Sequence, residues 1–448
     1  MVTGRPRATS PWRLEAEGAH PRSVRYLYIL AVYLAAPLIS LVMLWRGFGD
    51  RSYWSNFAER FGFGERLPPG SVWVHAVSVG EVQASAALVT TLRERYPGIP
   101  VVVTTLTPTG ATRAKTLFKD LAHVRYIPFD LPGSVRRFFN RVQPRAAVIF
   151  ETELWPNLYH QCGRRRIPLV LASARISSRS VGRYRRLGSL FRDALARGVV
   201  VAAQGEGDAD RFKSLGADPE RTHVTGNIKF DFSVPHDIGE RGRRLREFYA
   251  PQRPMWVAGS THAGEEEIIL EAQRIVRGTH PRALLVLVPR HPPRFDEVAY
   301  ALQRAGVRFV RRSQRLGEKA GAAAGFAEVL LVDTLGELLE FYAAADVAFV
   351  GGSLVPIGGH NLLEPAALGL PILTGPHTAN SADIAQLLIA RGAADVVHNA
   401  DELGDRVAML LSDPDERDRI GALGRDSVDS NRGALGKLLG LIEPLLRG

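Results

Sequence analysis

Short apolar segments alternate with helical patterns along most of this 448-residue chain. This alternation is typical of βα units, in which each strand of a parallel sheet is followed by a covering helix. The predicted strands are 71–77, 99–105, 124–129, 146–150, 168–173, 199–204, 255–259, 283–289, 329–333, 347–350 and 371–374. A polar, arginine-rich stretch at 233–254 separates the first six from the others. We therefore predict an α/β fold with two doubly wound domains that face each other across a cleft.

An apolar segment precedes the first predicted strand. Tyr26 to Trp45 is 20 residues without a charge, flanked by Arg25 and Arg46, and 20 residues is the length of a helix that crosses a bilayer. Pro37 is compatible with a kink, so a helix that lies in the membrane interface remains an alternative, as does a buried core helix. The predicted division is a polar leader (1–25), a membrane anchor (26–46), a first domain (47–235) and a second domain (236–448).

The composition of the chain limits the kinds of partner and cofactor that it is expected to bind. The formal net charge of +11 predicts attraction to an anionic lipid surface or a phosphorylated substrate. Nucleic acid is not predicted, because the chain has no zinc-finger spacing and no aromatic RNA-binding signature. The single cysteine, Cys162, excludes an internal disulfide framework. No HxxxH or HExxH pair occurs, so we predict neither a metal nor another cofactor.

Doubly wound sheets commonly hold nucleotides and bind the phosphates through a glycine-rich motif. No GxGxxG follows the first strand and no GxxxxGK[ST] occurs, which counts against a dinucleotide oxidoreductase and a P-loop enzyme. A glycine-rich loop at 351–371 follows a predicted strand instead, and a helix predicted to begin at Asn361 offers N–H groups to an anion. Glu364, one turn into this helix, is placed to accept hydrogen bonds from ribose. Alternatively, the glycines only form a tight turn and Asn361 only caps the helix.

Glu81 stands out in the first half. It directly follows Gly80, at the turn between the first predicted strand and a helical pattern that continues to about Tyr96. The carboxyl ends of such strands face the ligand site of an open α/β sheet. Taken alone, Glu81 is better explained as a carboxylate that interacts with a helix dipole.

A series of motifs along the chain resembles the motifs of one known protein family. The motifs are HAVSVGE (75–81), TLTPTG (105–110), ETELWPN (151–157), SARIS (173–177), VTGNIKFD (224–231), STHAGEE (260–266), VPRHPPRF (288–295), FVGGSLVPIGGHNLLEPAALGLP (349–371) and GPHTAN (375–380). In sequence and order they resemble the Kdo transferases, which are inner-membrane glycosyltransferases. Members of this family move 3-deoxy-D-manno-octulosonic acid (Kdo) from CMP-Kdo to the lipid A precursor, lipid IVA, during lipopolysaccharide biosynthesis.

The resemblance implies a GT-B architecture of two Rossmann-like domains, with the acceptor bound mainly by the first domain and the nucleotide sugar by the second. It implies an inverting reaction in which Glu81 is the general base for the acceptor hydroxyl. Glu151 matches the position that favours positive charge at the anomeric carbon of the donor. Lys229 would balance the negative charge that grows on the departing CMP phosphate. Without the resemblance, Glu151 is as well explained by a pairing with the arginines at 164–166.

Donor and acceptor contacts also follow from the resemblance. The implied nucleotide-binding residues are Pro289, Arg290, Leu335, Gly336, Glu337, Asn361, Leu362, Leu363 and Glu364. Thr107 and Arg175 are expected on the acceptor side. The implied partners are CMP-Kdo, the lipid A precursor and an anionic membrane surface, with the catalytic domains on the cytoplasmic side of the inner membrane. Two alternatives remain open: a lipid-directed GT-B enzyme that uses a UDP-sugar, and a non-catalytic binding protein attached to the membrane.

Overall fold

The computed structural model describes residues 22–177, 180–182, 184, 188–196, 198–314 and 326–446. The chain divides into two compact units. The first comprises Met1–Phe232 with Arg432–Gly448, and the second comprises Ser233–Asn431. Most of the predicted leader lies outside the described residues.

The first unit is built on a parallel seven-stranded sheet. Its strands are β1 (Val72–His75), β2 (Val101–Thr105), β3 (His123–Tyr126), β4 (Ala146–Phe150), β5 (Leu169–Ala174), β6 (Val200–Ala203) and β7 (Thr222–Val224). They lie in the order β3-β2-β1-β4-β5-β6-β7. The apolar runs form central strands because both faces are covered: Trp73 packs in one core cluster, and Val72 and Val74 pack in the other. The winding reverses between β1 and β4, and ligands bind at such switch points.

Helices cover this sheet. Those of the first unit are α1 (Arg22–Gly49), α2 (Val79–Arg95), α3 (Pro108–Leu117), α4 (Pro132–Val142), α5 (Pro156–Arg165), α6 (Gly188–Leu195) and α7 (Glu206–Ser214), with short 3-10 helices at Arg51–Tyr53, Phe57–Phe61, Pro219–Arg221 and Ile228–Asp231. Asp208 and Asp210 lie in the first half of α7.

Helix α1 presents an apolar face to solvent. Tyr28 donates a hydrogen bond to Asp130 at 2.8 Å, and Trp54 donates one to the Leu44 carbonyl at 2.9 Å, so one face of α1 contacts the first unit. Large apolar side chains that recur along the helix are exposed, among them Leu34 (71% exposed) and Trp45 (73%). Within the described residues, α1 is the helix long and apolar enough to cross a membrane, with a mean hydropathy of 2.4. Its exposed stripe is suited to contact with lipid.

The second unit repeats the architecture. Its strands are β8 (Met255–Thr261), β9 (Leu284–Pro289), β10 (Phe309–Arg311), β11 (Val329–Leu331), β12 (Val347–Val350), β13 (Ile372–Thr374) and β14 (Ala394–Val396), in the order β10-β11-β9-β8-β12-β13-β14. All pair in parallel, and the winding reverses between β8 and β12. The helices are α8 (Ile238–Tyr249), α9 (Glu266–Thr279), α10 (Phe295–Arg304), α11 (Leu338–Ala344), α12 (Leu363–Ala367), α13 (Ala382–Ala390), α14 (Ala400–Ser412) and α15 (Pro414–Ser430), with 3-10 helices at Pro292–Arg294 and Ala379–Ser381.

The two doubly wound sheets confirm the predicted fold class. The domain boundary differs from the sequence-based one at the C-terminus. The last helix, α16 (Ala434–Leu446), belongs to the first unit, where Leu438, Leu439 and Ile442 join a core cluster of the first sheet. The Asp231 carboxylate also accepts hydrogen bonds from the backbone N–H groups of Gly433 and Leu435 at the start of this helix. The chain therefore returns to its first unit after completing the second.

Candidate active site

Glu81 lies in the first turn of α2, directly beyond the carboxyl end of β1. The Ser78 hydroxyl caps the helix by accepting a hydrogen bond from the Glu81 N–H, and the Glu81 carboxylate accepts bonds from the Val77 N–H (2.9 Å) and the Ser78 hydroxyl (3.0 Å). This is a variant of the capping box, in which the carboxylate reaches the N–H of the residue before the cap, and it holds the carboxylate in place. Only 8% of the residue is exposed. Glu81 therefore does act as a helix-end carboxylate, which was the alternative explanation of its place in the sequence.

Glu151 and Lys229 form an ion pair at the same edge of the sheet. Glu151 follows β4, and Lys229 lies in the 3-10 helix that comes after β7. The Lys229 Nζ is 3.0 Å from the Glu151 Oε1, and each side chain is just over a quarter exposed. Glu151 has a φ of +54°, a left-handed conformation that is strained for a residue with a Cβ. Strained residues of this kind persist only where the surrounding structure holds them in place, and they are common at functional sites.

A chain of hydrogen bonds holds the segment that carries Lys229. The Ser173 hydroxyl, at the end of β5, accepts from the Ile228 N–H at 3.1 Å, and the Gln204 amide donates to the Ser173 carbonyl at 3.1 Å. The Asn227 amide donates to the Gln204 side-chain oxygen (3.3 Å), and the Lys229 N–H donates to the Asn227 side-chain oxygen (3.0 Å). The position of Lys229 is thus set by the ends of two neighbouring strands.

Burial raises the pKa of the Glu81 carboxyl above its ordinary value. The negative charge of Glu151 adds to this rise, whereas the Val77 and Ser78 hydrogen bonds and the Lys229 charge oppose it. A carboxylate with a raised pKa accepts a proton more readily than an ordinary glutamate does. The three charged groups therefore form one electrostatic unit, although they come from three distant segments of the chain.

The two residues expected on the acceptor side flank this cluster. The Thr107 hydroxyl caps α3 by accepting from the Gly110 N–H at 3.1 Å, and it donates to the Val77 carbonyl at 3.3 Å. It therefore supports the turn that carries Glu81. Arg175 is half-buried directly after β5. The structure places both at the carboxyl edge of the first sheet, and their contact with an acceptor remains a prediction.

In the second unit, the residues predicted to bind nucleotide lie at the end of β9 or directly after it, and after β11 and β12, so they share the carboxyl edge of that sheet. Pro289 is buried and Arg290 is exposed. Leu335 is 70% exposed, and Gly336 has a φ of +88°, which favours glycine. The Glu337 carboxylate is paired with Arg312 at 2.6 Å.

The segment 361–364 differs in detail from the prediction. Helix α12 begins at Leu363 rather than Asn361, because the Asn361 side chain closes a turn by accepting from the Leu363 N–H at 3.1 Å. The side chains of Leu362 and Leu363 are 1% and 2% exposed, so a ligand could reach only their backbone. Glu364 accepts a hydrogen bond from the Asn361 amide at 3.0 Å, and burial raises the pKa of Glu364.

Comparison with known proteins identifies the family. Residues 55–232 match the family model described as 3-deoxy-D-manno-octulosonic-acid transferase (kdotransferase). The chain is 40% identical to the 3-deoxy-D-manno-octulosonic acid transferase of Haemophilus influenzae over 426 residues, which cover 94% of this chain and 99% of the relative. The chain belongs to the Kdo transferase family. The corresponding transferase of Bordetella pertussis is 39% identical over 437 residues, with the same coverage of both chains.

As a member of this family, the protein is a glycosyltransferase of lipopolysaccharide biosynthesis that takes Kdo from CMP-Kdo. Solved structures support the fold. The UDP-GlcNAc 2-epimerase of Neisseria meningitidis has a TM-score of 0.55 at 13% identity, covering 84% of this chain and 100% of that one. The glycotransferase of kitacinnamycin has a TM-score of 0.50 at 16% identity, covering 85% and 100%. At these identities the likeness shows the GT-B-like fold alone.

Glu153 is a site residue that sequence reasoning did not single out. Burial raises the pKa of the Glu153 carboxyl to about 7, and the charges of Glu81 and Glu151 add to the rise. The Trp155 indole N–H donates to the Glu153 carboxylate at 2.7 Å and opposes the rise. The sequence signal that could have indicated Glu153 is its place two residues after Glu151 and two residues before Trp155. The candidate site thus brings together three glutamates and one lysine.

We expect Glu153 to make the stability of the Kdo transferase fall as pH rises from 4.5 to about 7. Its raised pKa means that the folded state holds the proton more tightly than the unfolded state, so stability is lost as the carboxyl ionises. Glu153→Gln keeps an oxygen for the Trp155 N–H but cannot ionise. In thermal unfolding of the detergent-solubilised protein, the midpoint of the variant minus that of the wild type should grow through this window and level off above it.

Glu402→Gln is the matched control for Glu153→Gln. Hydrogen bonds from His398 lower the pKa of Glu402, so its contribution to stability is present above its ordinary pKa and is lost as pH falls. Its midpoint difference should therefore have the opposite sign, with the wild type the more stable protein at neutral pH. A Glu153→Gln difference that does not change with pH would contradict the assignment.

No group of three or more His, Cys, Asp or Glu side chains in the described ranges is arranged to hold a metal ion. The absence of a metal requirement remains a prediction from the sequence.

Proposed function

We propose that this Kdo transferase moves Kdo from CMP-Kdo to a hydroxyl of the lipid A precursor, lipid IVA, with inversion at the anomeric carbon and with Glu81 as the general base. The observation that carries the proposal is the convergence of Glu81, Glu151 and Lys229 at the carboxyl edge of the first sheet. Glu81 and Glu151 follow β1 and β4, the two strands that flank the switch point. This is where ligands of doubly wound sheets bind.

Each group has a distinct task in the transfer. The acceptor oxygen forms a bond to the anomeric carbon while its proton passes to Glu81, because a hydroxyl is a poor nucleophile until a base accepts its proton. The bond from the anomeric carbon to the phosphate oxygen breaks, and its electron pair leaves with CMP. The Glu151 carboxylate stabilises the oxocarbenium character at the carbon. Lys229 offsets the negative charge that develops on the phosphate.

The capping contacts of Glu81 are compatible with its role as a base. A carboxylate has about four lone-pair positions, and the contacts with Val77 and Ser78 use one on each oxygen. A lone pair therefore remains for an acceptor hydroxyl. The capping box keeps the carboxylate in one orientation, so little ordering is required when the acceptor arrives.

Donor recognition is assigned to the second unit. Arg290 is exposed at the carboxyl end of β9, where its guanidinium can pair with the phosphate of the nucleotide. The carboxylate of Glu364 is suited to the ribose hydroxyls, and the positive φ of Gly336 leaves its backbone open to close approach by the nucleotide. The buried side chains of Leu362 and Leu363 instead fix the base of this loop.

Helix α1 and the charge of the chain support a place at a membrane. The exposed apolar stripe of α1 would enter the bilayer, and the net charge of +11 favours an anionic surface. We assign the protein to the inner membrane, with both units on the cytoplasmic side. There the acceptor lipid and α1 share one surface.

The experiment is transfer by the purified full-length protein to a bisphosphorylated lipid A precursor in vesicles that contain anionic phospholipid. Mass spectrometry of the lipid should show addition of Kdo when CMP-Kdo is supplied, and no addition of sugar when UDP-GlcNAc replaces it. Transfer from UDP-GlcNAc would instead support the UDP-sugar alternative. A protein that binds the vesicles and CMP-Kdo but leaves the lipid unmodified would refute the proposal.

A further inference from the structure

Three histidines meet at the carboxyl edge of the second sheet. His262 directly follows β8, His291 follows β9, and His360 lies in the glycine-rich loop after β12. The Nε2 atoms of His262 and His360 are 2.8 Å apart, with their rings stacked at a centroid distance of 5.0 Å and an interplanar angle of 8°. The His291 ring lies edge-on to His262 at 5.1 Å. We call His262 and His360 the histidine pair.

The histidine pair lies at the switch point of this sheet. β8 and β12 are neighbours at which the winding reverses, and one member of the pair follows each strand. Gly352 makes the close stack possible, since a Cβ at this position would be 2.9 Å from the His360 ring and 3.4 Å from the His262 ring. The arrangement therefore depends on the glycine that follows β12.

Glu265 fixes the turn that carries His262 and the start of the loop that carries His360. Its carboxylate is fully buried and accepts four backbone hydrogen bonds of 2.7 to 2.9 Å, from the N–H groups of His262, Gly352, Ser353 and Leu354. These four bonds join the turn after β8 to the loop after β12. Both carboxylate oxygens of Glu265 are used by these backbone bonds, and none of the four bonds comes from an imidazole ring.

The surroundings of the histidine pair are cationic. The charges of Arg290 and His291 lower the pKa of both members of the pair, Arg294 also lowers that of His262, and Glu265 is the negative charge that opposes them at His262. Arg294 is itself paired with Glu266 at 2.7 Å. Burial is the largest influence and, with these charges, lowers the pKa of His360 to about 4. At neutral pH the pair is therefore uncharged, with one Nε2–H donating to the other Nε2.

We propose that the histidine pair binds an anionic group of the nucleotide sugar, and that this binding is coupled to the uptake of one proton from solvent. The added proton occupies the accepting Nε2, which breaks the hydrogen bond between the rings and leaves two N–H donors and one positive charge for the anion. The inference rests on the proposed function, in which the second unit holds the donor. Arg290, next to His291 in the chain, supplies the permanent charge at the same edge.

Two parts of the donor carry the required chemistry, the phosphate and the carboxylate of the sugar. CMP contains only the phosphate group, so the comparison of CMP with CMP-Kdo distinguishes them. Proton uptake with both ligands assigns the pair to the phosphate. Uptake with CMP-Kdo alone assigns it to the sugar carboxylate.

The test is calorimetry of ligand binding to the full-length protein in detergent, in two buffers with different ionisation enthalpies. We expect uptake of up to one proton, and an affinity that weakens by about tenfold per pH unit above neutrality. His360→Gln, or His262→Gln if the first variant is unstable, should bind more weakly with no uptake. His280→Gln is the matched control, because His280 lies in the same unit but bonds to Ala408 and Ser412 and not to the histidine pair.

Binding without proton uptake in the wild type, or unchanged uptake in both pair variants, would overturn the inference. This readout does not require transfer, so it can fail while Kdo transfer persists. If neither CMP nor CMP-Kdo binds at all, the proposed function fails with it.

Discussion

Glu81→Gln should reduce the turnover of Kdo transfer by about 10²- to 10⁴-fold, which is the range that a general base contributes. Glutamine retains the shape of the side chain and one oxygen that can accept from the Val77 N–H, but it cannot take a proton from the acceptor hydroxyl. CMP binding should be unchanged, because the residues assigned to the nucleotide belong to the other unit. The measurement is the initial rate of lipid modification at saturating CMP-Kdo, with CMP affinity determined separately.

Glu402→Gln is also the matched control here, because Glu402 occupies the equivalent position of a second capping box. Its carboxylate accepts from the His398 N–H, and its own N–H donates to the capping Asn399, both at 2.9 Å. This variant loses the same type of helix-end contact at an exposed site of the second unit. We expect at most a small loss of stability and normal transfer. Equal rates for the two variants would mean that Glu81 is only a cap.

Most of the strands could be predicted because they are buried apolar runs, and such runs carry a strong signal. The predicted segments 146–150 and 347–350 agree with β4 and β12 residue for residue. Three strands were not predicted: β7, β10 and β14. Each has three residues, lies at the edge of its sheet and is partly exposed, so pairing with a neighbour defines it rather than its own composition.

The C-terminal helix shows a different limit. Its apolar residues predict a packed face, but they do not say which of two cores it joins. The position of α16 in the first unit depends on contacts between residues about 200 positions apart in sequence, such as the bond from the Gly433 N–H to Asp231. Local pattern contains no such information.

The site was predictable only where a motif marked it. Glu81, Glu151 and Lys229 were predicted through family motifs. The structure shows why the sequence alone left them ambiguous: Glu81 also caps a helix, and Lys229 pairs with Glu151 only in the folded protein. The raised pKa of Glu153 depends on burial and on charges from other segments. The contact between His262 and His360 joins residues 98 positions apart. These features exist only in the folded protein.

Lys229→Met should lower the turnover of Kdo transfer by about 10²- to 10³-fold, the typical loss when a preorganised charge at a transition state is removed. Methionine retains the apolar part of the side chain. Two effects combine: the phosphate loses its balancing charge, and Glu151 loses its partner at 3.0 Å. Lys213→Met is the matched control, because Lys213 pairs with Asp210 at 3.6 Å on an exposed face of α7 in the same unit. That variant should transfer Kdo normally.

The pH dependence of Lys229→Met separates a catalytic role from a structural one. The charge of Lys229 lowers the pKa of Glu81, so its removal raises that pKa further. The base is then protonated over a wider range, and the acid limb of kcat/KM against pH should move to higher pH. Glu151→Gln removes a negative charge and should move the limb the other way. Because Glu151 and Lys229 act as a pair, the losses in the double variant should be less than the product of the single losses. An acid limb that does not move in either single variant would show that the ion pair only supports the fold, and full multiplicativity would show that the two groups do not act as a pair.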